Sequence, residues 1–302
     1  MQWAWAGLAV SGGLISRLAR AGLPQGTLDT AVLERLVGKQ PLIKRSYRPP
    51  NFETPLTYFD DSITPNDRFF VRWHLMGIAA VNGRAWRLSV GGDAAIKPYE
   101  LTLEQLKSDF EPVEVIAVCQ CAGNRRGLSD PHVAGVQWGY GAMGNARWRG
   151  ARLKDILARA GLSNEVLEIA INGADHPVLD ATPDFIKSLP AWKALDENTI
   201  IAYEMNGEAL PHHNGYPARL IVPGWVATYW MKQITSIQAI SAPLTNFWMA
   251  TAYRLPKGKF AQADRFISQE NELTTPITEI VVNSVITSHA DGTHVKRGAP
   301  II

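Results

Sequence analysis

Two cysteines stand two positions apart in Val118–Arg126, which reads V-C-Q-C-A-G-N-R-R, and the chain has no others. The thiolate, not the thiol, binds a soft metal, and nearby guanidinium charge favours the thiolate. Cys121 meets that condition, because an apolar run ends there and Arg125 and Arg126 follow four and five residues on. Strand alternation puts Cys119 on the same face, but it does not adjoin the arginine-rich loop and reads as a small buried hydrophobe. Two thiols cannot build a disulfide framework or a four-cysteine zinc or iron–sulfur site. Other reactive residue types are individually weak signals. Arg219, beside Pro217, reads alone as an ordinary ion-pairing residue. His212 and His213 look like a metal pair, yet adjacent side chains of an extended segment point apart. The ten tryptophans read as core or interface anchors before cofactor stackers.

The chain that must position these groups has 302 residues, with 30 Lys+Arg against 28 Asp+Glu and 46% hydrophobic residues. The near balance of charge argues against a general nucleic-acid binder or a polybasic membrane surface. A chain of this length buries roughly 75% of its unfolded surface, enough for one large domain or two smaller ones. Trp3–Ile15 is apolar and is followed by Arg17 and Arg20. It is shorter than the about 20 residues of a membrane span. Residues 1–25 therefore read either as the remnant of an export signal or as an N-terminal helix packed on the domain.

Residues 21–66 are proline-rich and read as an extended arm with a short helix near Leu28–Leu36. Strands are expected at Arg68–Met76, Trp86–Val90, Glu114–Cys121 (buried, by its β-branched content), Val166–Asn172, Thr199–Tyr203, Arg219–Val222 and Gln233–Ser241. A helix over Leu101–Asp109 has Thr102 as N-cap and Glu104 in its first turn, and another over Arg152–Ala160 stops at Gly161. This irregular order predicts a mixed-sheet α+β domain, not a doubly wound repeat. Neither G-x-G-x-x-G nor a Walker A loop is present. Glu279–Ile286 reads as the start of a β-sandwich, which needs about 100 residues in all. The expected organisation is a catalytic domain over 26–270 and an incomplete sandwich over 271–302.

Cys121–Arg126 (C-A-G-N-R-R) resembles the molybdenum-ligand loop of the sulfite oxidase family of molybdopterin enzymes. Further motifs recur in family order: Phe69–His74 (FFVRWH), Gly139–Gly150 (GYGAMGNARWRG), Ala202–Gly207 (AYEMNG), Gly215–Arg219 (GYPAR), Val222–Lys232 (VPGWVATYWMK) and Phe247–Pro256 (FWMATAYRLP). Within that family the chain is most similar to the bacterial sulfite dehydrogenases that pass electrons to cytochrome c. The resemblance implies molybdenum held by molybdopterin, with Cys121 as the protein's thiolate beside the pterin dithiolene. One cysteine then suffices, because the pterin supplies the other sulfurs.

By the same resemblance, Arg72 binds a sulfite oxygen with its planar fork of donors, and Tyr253 sits at the oxo group. His74, two residues from Arg72, hydrogen-bonds in the pocket or tunes that arginine. The family usually has asparagine before this histidine, where Trp73 stands here. Arg126, Asp175, Arg219, Lys232 and the backbone amides of Trp230 and Met231 hold the pterin and its phosphate, together with either His213 or Asn214. Animal members carry histidine at the position of Asn214.

The implied reaction is oxidation of sulfite to sulfate, with electrons leaving singly to an external acceptor. The sequence lacks C-x-x-C-H and His-Pro-Gly-Gly, so no haem is expected in it, and a c-type cytochrome or haem subunit is the implied partner. A periplasmic location, export of the folded and cofactor-loaded protein, and a homodimer through the sandwich module accompany this reading. Its rivals are a nitrate or sulfoxide reductase of the same fold and a truncated, non-catalytic molybdopterin-binding scaffold.

Overall fold

The structure is a computed structural model that describes residues 33–287 and 294–298. Trp3–Ile15, and with it the choice between a signal remnant and a packed helix, lies outside the described residues. β1 (Leu33–Glu34), β2 (Leu42–Tyr47), β3 (Pro50–Glu53) and β4 (Val71–Arg72) form an antiparallel sheet in that order. There follow β5 (Arg87–Gly91), β6 (Tyr99–Thr102), helix α1 (Leu103–Ser108), the long hairpin of β7 (Pro112–Gln120) and β8 (Met143–Arg152), and helix α2 (Leu153–Ala160). Next come β9 (Glu168–Gly173), β10 (Lys187–Pro190), α3 (Ala191–Ala194), β11 (Ile200–Met205), β12 (Glu208–Ala209), β13 (Arg219–Ile221) and β14 (Ile234–Ile240). Helix α4 (Phe247–Ala250) and a ribbon of β15 (Arg254–Pro256) with β16 (Thr274–Pro276) complete the described order.

Two five-stranded sheets make the body. One runs β10-β9-β14-β5-β6, and the other runs β12-β11-β8-β7 with β13 pairing β11. Only β14 and β5 pair in parallel, and with a few short helices this is the expected α+β class. Local chemistry explains the helices. Thr102 accepts the Gln105 amide while the Gln105 side chain accepts the Thr102 amide, a reciprocal cap. In α2 the residues Leu153, Ile156, Leu157 and Ala160 fall on one buried face, and Gly161 ends the helix at φ 66°. Burying each of the larger three contributes about 1.5–3 kcal/mol, and Ile156→Ala would cost about 2–5 kcal/mol.

Three expectations change. Of the helix expected near Leu28–Leu36, residues 33–36 are described and none is helical, Leu33–Glu34 being a strand paired with β2. The Arg68–Met76 strand shrinks to Val71–Arg72, because the Trp73 N–H turns to the Asn51 side chain at 3.2 Å instead of a strand partner. β7 is buried on one face only. Ala117 and Cys119 point inward, while Ile116 and Val118 are 56% and 42% exposed on an uncovered sheet face. Beyond β16, Glu279 makes a single bridge to Trp225, and the rest of Glu279–Ile286 has no strand pairing. The main core holds Trp138, Trp148, Trp225 and Trp230, each almost fully buried, and a smaller cluster of Leu42, Phe52, Val71 and Trp73 backs the first sheet. Among the described residues no helix is long and apolar enough to cross a membrane.

Candidate functional site

The C-terminal end of β7 leads into the loop 121–126, which is fastened by its backbone. The Cys121 N–H donates to Ala142 O at 2.9 Å and the Arg125 N–H to Gly139 O at 2.7 Å. The Asn124 amide group spans the same segment, donating to Tyr140 O and accepting from Ala142 N, both at 3.0 Å. Cys121 Sγ accepts the Gly123 N–H at 3.4 Å. Arg125 takes φ 70°, and this left-handed turn sends the next side chain away from the thiol. Arg126 donates to Val136 O at 3.1 Å and packs against Gly123 and Gly135.

Cys121 forms part of the wall of a cavity. One side holds Arg72, His74 and Tyr253. Arg72 donates to Asn51 Oδ1 at 3.2 Å and to the Trp73 carbonyl. His74 Nε2 and the Tyr253 hydroxyl are hydrogen-bonded to each other. The His74 ring lies flat on Phe185 at 3.7 Å between centroids, with Trp248 edge-on at 5.2 Å. Burial first, and then the charges of Arg72, Lys232 and Lys187, hold His74 well below the usual histidine range. Burial also raises the Tyr253 phenol, with the Arg72 charge opposing. Both groups are neutral at pH 7.

The adjoining part of the wall, around Arg219 and Lys232, is cationic. Arg219 is 4% exposed, and its guanidinium meets carbonyls and a sulfur: Asn214 O at 2.9 Å, Trp230 O at 3.2 Å and Cys119 Sγ at 3.7 Å. Lys232 Nζ lies 3.1 Å from the centroid of the Trp73 ring and donates to Arg72 O at 2.5 Å. Burial drives its ammonium well down, with Arg219 adding to the push and Asp175 opposing it. Asp175 is pushed up to about 6 by burial, with Lys232 pulling the other way. Gly215, at φ 114°, brings the His212–Asn214 turn against Arg219 and Lys232, where a Cβ would stand 2.9 Å from Arg219 Cβ.

Asn214 is fully engaged, accepting Lys39 Nζ at 2.6 Å and donating to Phe70 O at 3.2 Å. His213 Nδ1, Arg219 Nε and Trp73 Nε1 are buried without a partner.

Eleven of the twelve residues expected from the sequence thus line one cavity: Arg72, His74, Cys121, Asp175, His213, Asn214, Arg219, Trp230, Met231, Lys232 and Tyr253. The structure does not bring Arg126 to it. Cys119, read from sequence as an ordinary core residue, is in the wall, and strand alternation with Cys121 was the available signal. Lys39, Asn51 and Phe185 were missed, and no local pattern marks them.

The cavity wall holds the thiols of Cys119 and Cys121, the basic residues Arg72, Arg219 and Lys232, the acid Asp175, and buried polar atoms without a partner. Such a site suits an anionic cofactor carrying a soft metal, and among the described residues no three His, Cys, Asp or Glu side chains converge as a protein-built metal cage. The residues present fit molybdopterin with molybdenum: Cys121 would supply the thiolate, and Arg219 and Lys232 would be the donors available to the pterin and its phosphate. The protein is accordingly an oxidoreductase of the cofactor-carrying class.

The chain belongs to the sulfite oxidase family of molybdopterin enzymes. Residues 75–248 match the family model described as the oxidoreductase molybdopterin binding domain. Mitochondrial sulfite oxidase of Rattus norvegicus is 35% identical over 85% of this chain and 47% of its own length. That of Drosophila melanogaster is 36% identical over 83% and 43%. The chain therefore spans about half the length of the curated relatives it matches. Nitrate reductase [NADH] 1 of Oryza sativa subsp. japonica is 30% identical over 87% of this chain and 29% of its own. Among solved structures, the sulfane dehydrogenase SoxCD of Paracoccus pantotrophus matches with a TM-score of 0.69 at 25% identity, covering 98% of this chain and 68% of that one.

Proposed function

We propose that this protein oxidises sulfite to sulfate at its molybdenum cofactor and passes the electrons singly to a c-type cytochrome. The observation that carries the reading is the convergence of Arg72, the His74–Tyr253 pair and Cys121 on one cavity. When bound, the cofactor supplies two-electron oxygen transfer to the anion. The protein's part is to bind and orient. Arg72 presents a fork of donors to an oxyanion. The hydrogen bond between His74 Nε2 and the Tyr253 hydroxyl holds the phenol in the cavity beside Arg72. The Phe185 and Trp248 rings restrict water on that side and keep the pair desolvated. On the cofactor side, the unpartnered His213 Nδ1 supports His213 as a pterin-facing group, while Asn214 already accepts Lys39 Nζ and donates to Phe70 O. Arg126 acts on the loop's outer side.

The relatives named sulfite oxidase and the solved neighbour named sulfane dehydrogenase support a reduced-sulfur substrate. The apolar Trp3–Ile15 segment supports export to the periplasm. The test is sulfite-dependent reduction of cytochrome c by purified, molybdenum-loaded protein. Turnover with sulfite is expected. Reduction of nitrate by the same preparation, with none of sulfite's oxidation, would overturn the reading.

A further inference from the structure

Strand β3 carries two polar residues, Asn51 and Glu53, each only 1% exposed. Being two apart, they share a strand face. Asn51 Oδ1 accepts from Arg72 and from the Trp73 N–H, both at 3.2 Å, and its amide is itself held by Ser46 Oγ at 2.8 Å. Glu53 uses both carboxylate oxygens on the segment that fastens the thiol loop. One accepts the Gly141 N–H at 2.8 Å, and the other accepts the Gly139 N–H at 2.9 Å together with Arg45 Nε at 2.8 Å. That segment then holds the loop through Gly139 O to the Arg125 N–H and Ala142 O to the Cys121 N–H. The approach of the two backbones is close enough that a Cβ on Gly141 would collide with the Thr54 carbonyl.

We propose that Asn51 and Glu53 are paired positioning residues: β3 sets the placement of the anion-binding guanidinium relative to the metal-binding thiol. Glu53 acts on Cys121 through Gly139–Ala142, and Asn51 acts on Arg72 directly. Neither lines the cavity, so neither touches the reacting atoms. Burying a carboxylate is expensive unless its lone pairs are used, and here two backbone donors of the loop-fastening segment and Arg45 of β2 use them. Misplacing a reacting group by about 1 Å can cost about 100-fold in rate, which is the size of effect such a brace protects against. The proposal rests on the reading of Cys121 as metal ligand and Arg72 as anion site.

The experiment therefore has one arm that does not use the cofactor. In cofactor-free protein carrying Cys119→Ser, only the Cys121 thiol remains, and its alkylation by iodoacetamide is timed. Glu53→Gln leaves a neutral amide facing two N–H donors and is expected to speed alkylation about tenfold through local opening, while Asn51→Ala changes it less than about twofold. In the molybdenum-loaded protein, Glu53→Gln is expected to lower kcat about 100-fold at near-parent sulfite KM, and Asn51→Ala to raise KM about tenfold. Glu53→Asp, which keeps the charge, is expected between Glu53→Gln and the parent in both arms, and it serves alone if Glu53→Gln does not fold.

Parent-like alkylation and parent-like kcat in the Glu53 variants would overturn the positioning role. So would equal losses of kcat and KM behaviour in the Asn51 and Glu53 variants. If the alkylation difference holds but molybdenum-loaded Cys121→Ala protein turns over sulfite like the parent, the brace stands and the reading of Cys121 as ligand is what fails.

Discussion

The two walls of the cavity differ in what they leave unpaired. On the Arg72 side each working group already has a partner, since the guanidinium is held by Asn51 and the Trp73 carbonyl, and His74 and Tyr253 hold each other. Around Arg219, Arg219 Nε and His213 Nδ1 are buried without a partner, and elsewhere in the wall so are Trp73 Nε1 and Thr228 Oγ1. A wall with its partners in place is preorganised and needs no rearrangement when substrate arrives. A wall with idle buried donors is incomplete until a ligand supplies acceptors. The contrast separates turnover from cofactor retention, and substitutions on the two sides should fail in different ways.

The harshest break of that contrast is at the thiol between the walls. Cys121→Ala is expected to lower sulfite oxidation by on the order of 10³-fold or more, as for loss of a group that acts as a unit with the reacting centre. Cys119→Ser, on the same strand face but bonded only to Arg219, should cost less than about tenfold. Steady-state assays normalised to molybdenum content decide between them, and equal losses would show that the two thiols share the role. On the paired wall, Arg72→Gln should lower kcat/KM for sulfite about 100-fold with the cofactor still bound, by removing a charged donor from a buried site. Unchanged kinetics would remove Arg72 from substrate binding. On the incomplete wall, His213→Ala should weaken cofactor retention by about tenfold, the lower end for losing a supporting ligand contact. The surviving loaded fraction should turn over normally, as molybdenum analysis and active-site titration together would show. A larger effect from Asn214→Ala without loss of stability would reverse the assignment.

The parts of the site that were legible in sequence are those carried by short contiguous motifs. C-A-G-N-R-R, the Phe69–His74 segment and Phe247–Pro256 carry Cys121, Arg72, His74 and Tyr253, which the structure gathers in the wall of one cavity. Arg126 shows the limit of reading by adjacency. The left-handed Arg125 turns it onto Val136 O, and a dihedral angle is not visible in a string of letters. The supporting residues were invisible for another reason. Lys39 meets Asn214 across 175 positions and Glu53 meets Gly141 across 88, so neither has a local pattern. Strands were found where β-branched runs were bounded by turn residues, and were overcalled at Arg68–Met76, where a side chain takes over from the ladder.

The mildest difference between the walls is one of proton binding. Lys39, beside Asn214 on the incomplete wall, is brought down to about 7 by burial, with Arg219 adding to the push and Asp67 opposing it. Lys187 donates to Trp248 O at 2.7 Å and lies 5.4 Å from the Tyr253 ring on the paired wall. It too is brought to about 7, by burial first and then Arg254. Both start from an ordinary value of 10.5. Between pH 7 and about 10 the unfolded chain therefore holds protons that the folded chain has released, so stability rises with pH across that window. Below pH 7 both states are charged and the trend ends. The Tm of cofactor-free protein should accordingly climb by a few degrees from pH 7 to 9, about what 1 kcal/mol produces in a domain of this size. Lys39→Met and Lys187→Met should each remove part of the climb. Cofactor binding brings anionic charge to the Lys39 side and should raise that ammonium's proton affinity. Loaded Lys39→Met should then match loaded parent in the steepness of its pH dependence, whereas loaded Lys187→Met should remain shallower. If the two variants respond alike to loading, the cofactor's charge does not fall on the Arg219 side, and the division of labour between the walls is wrong.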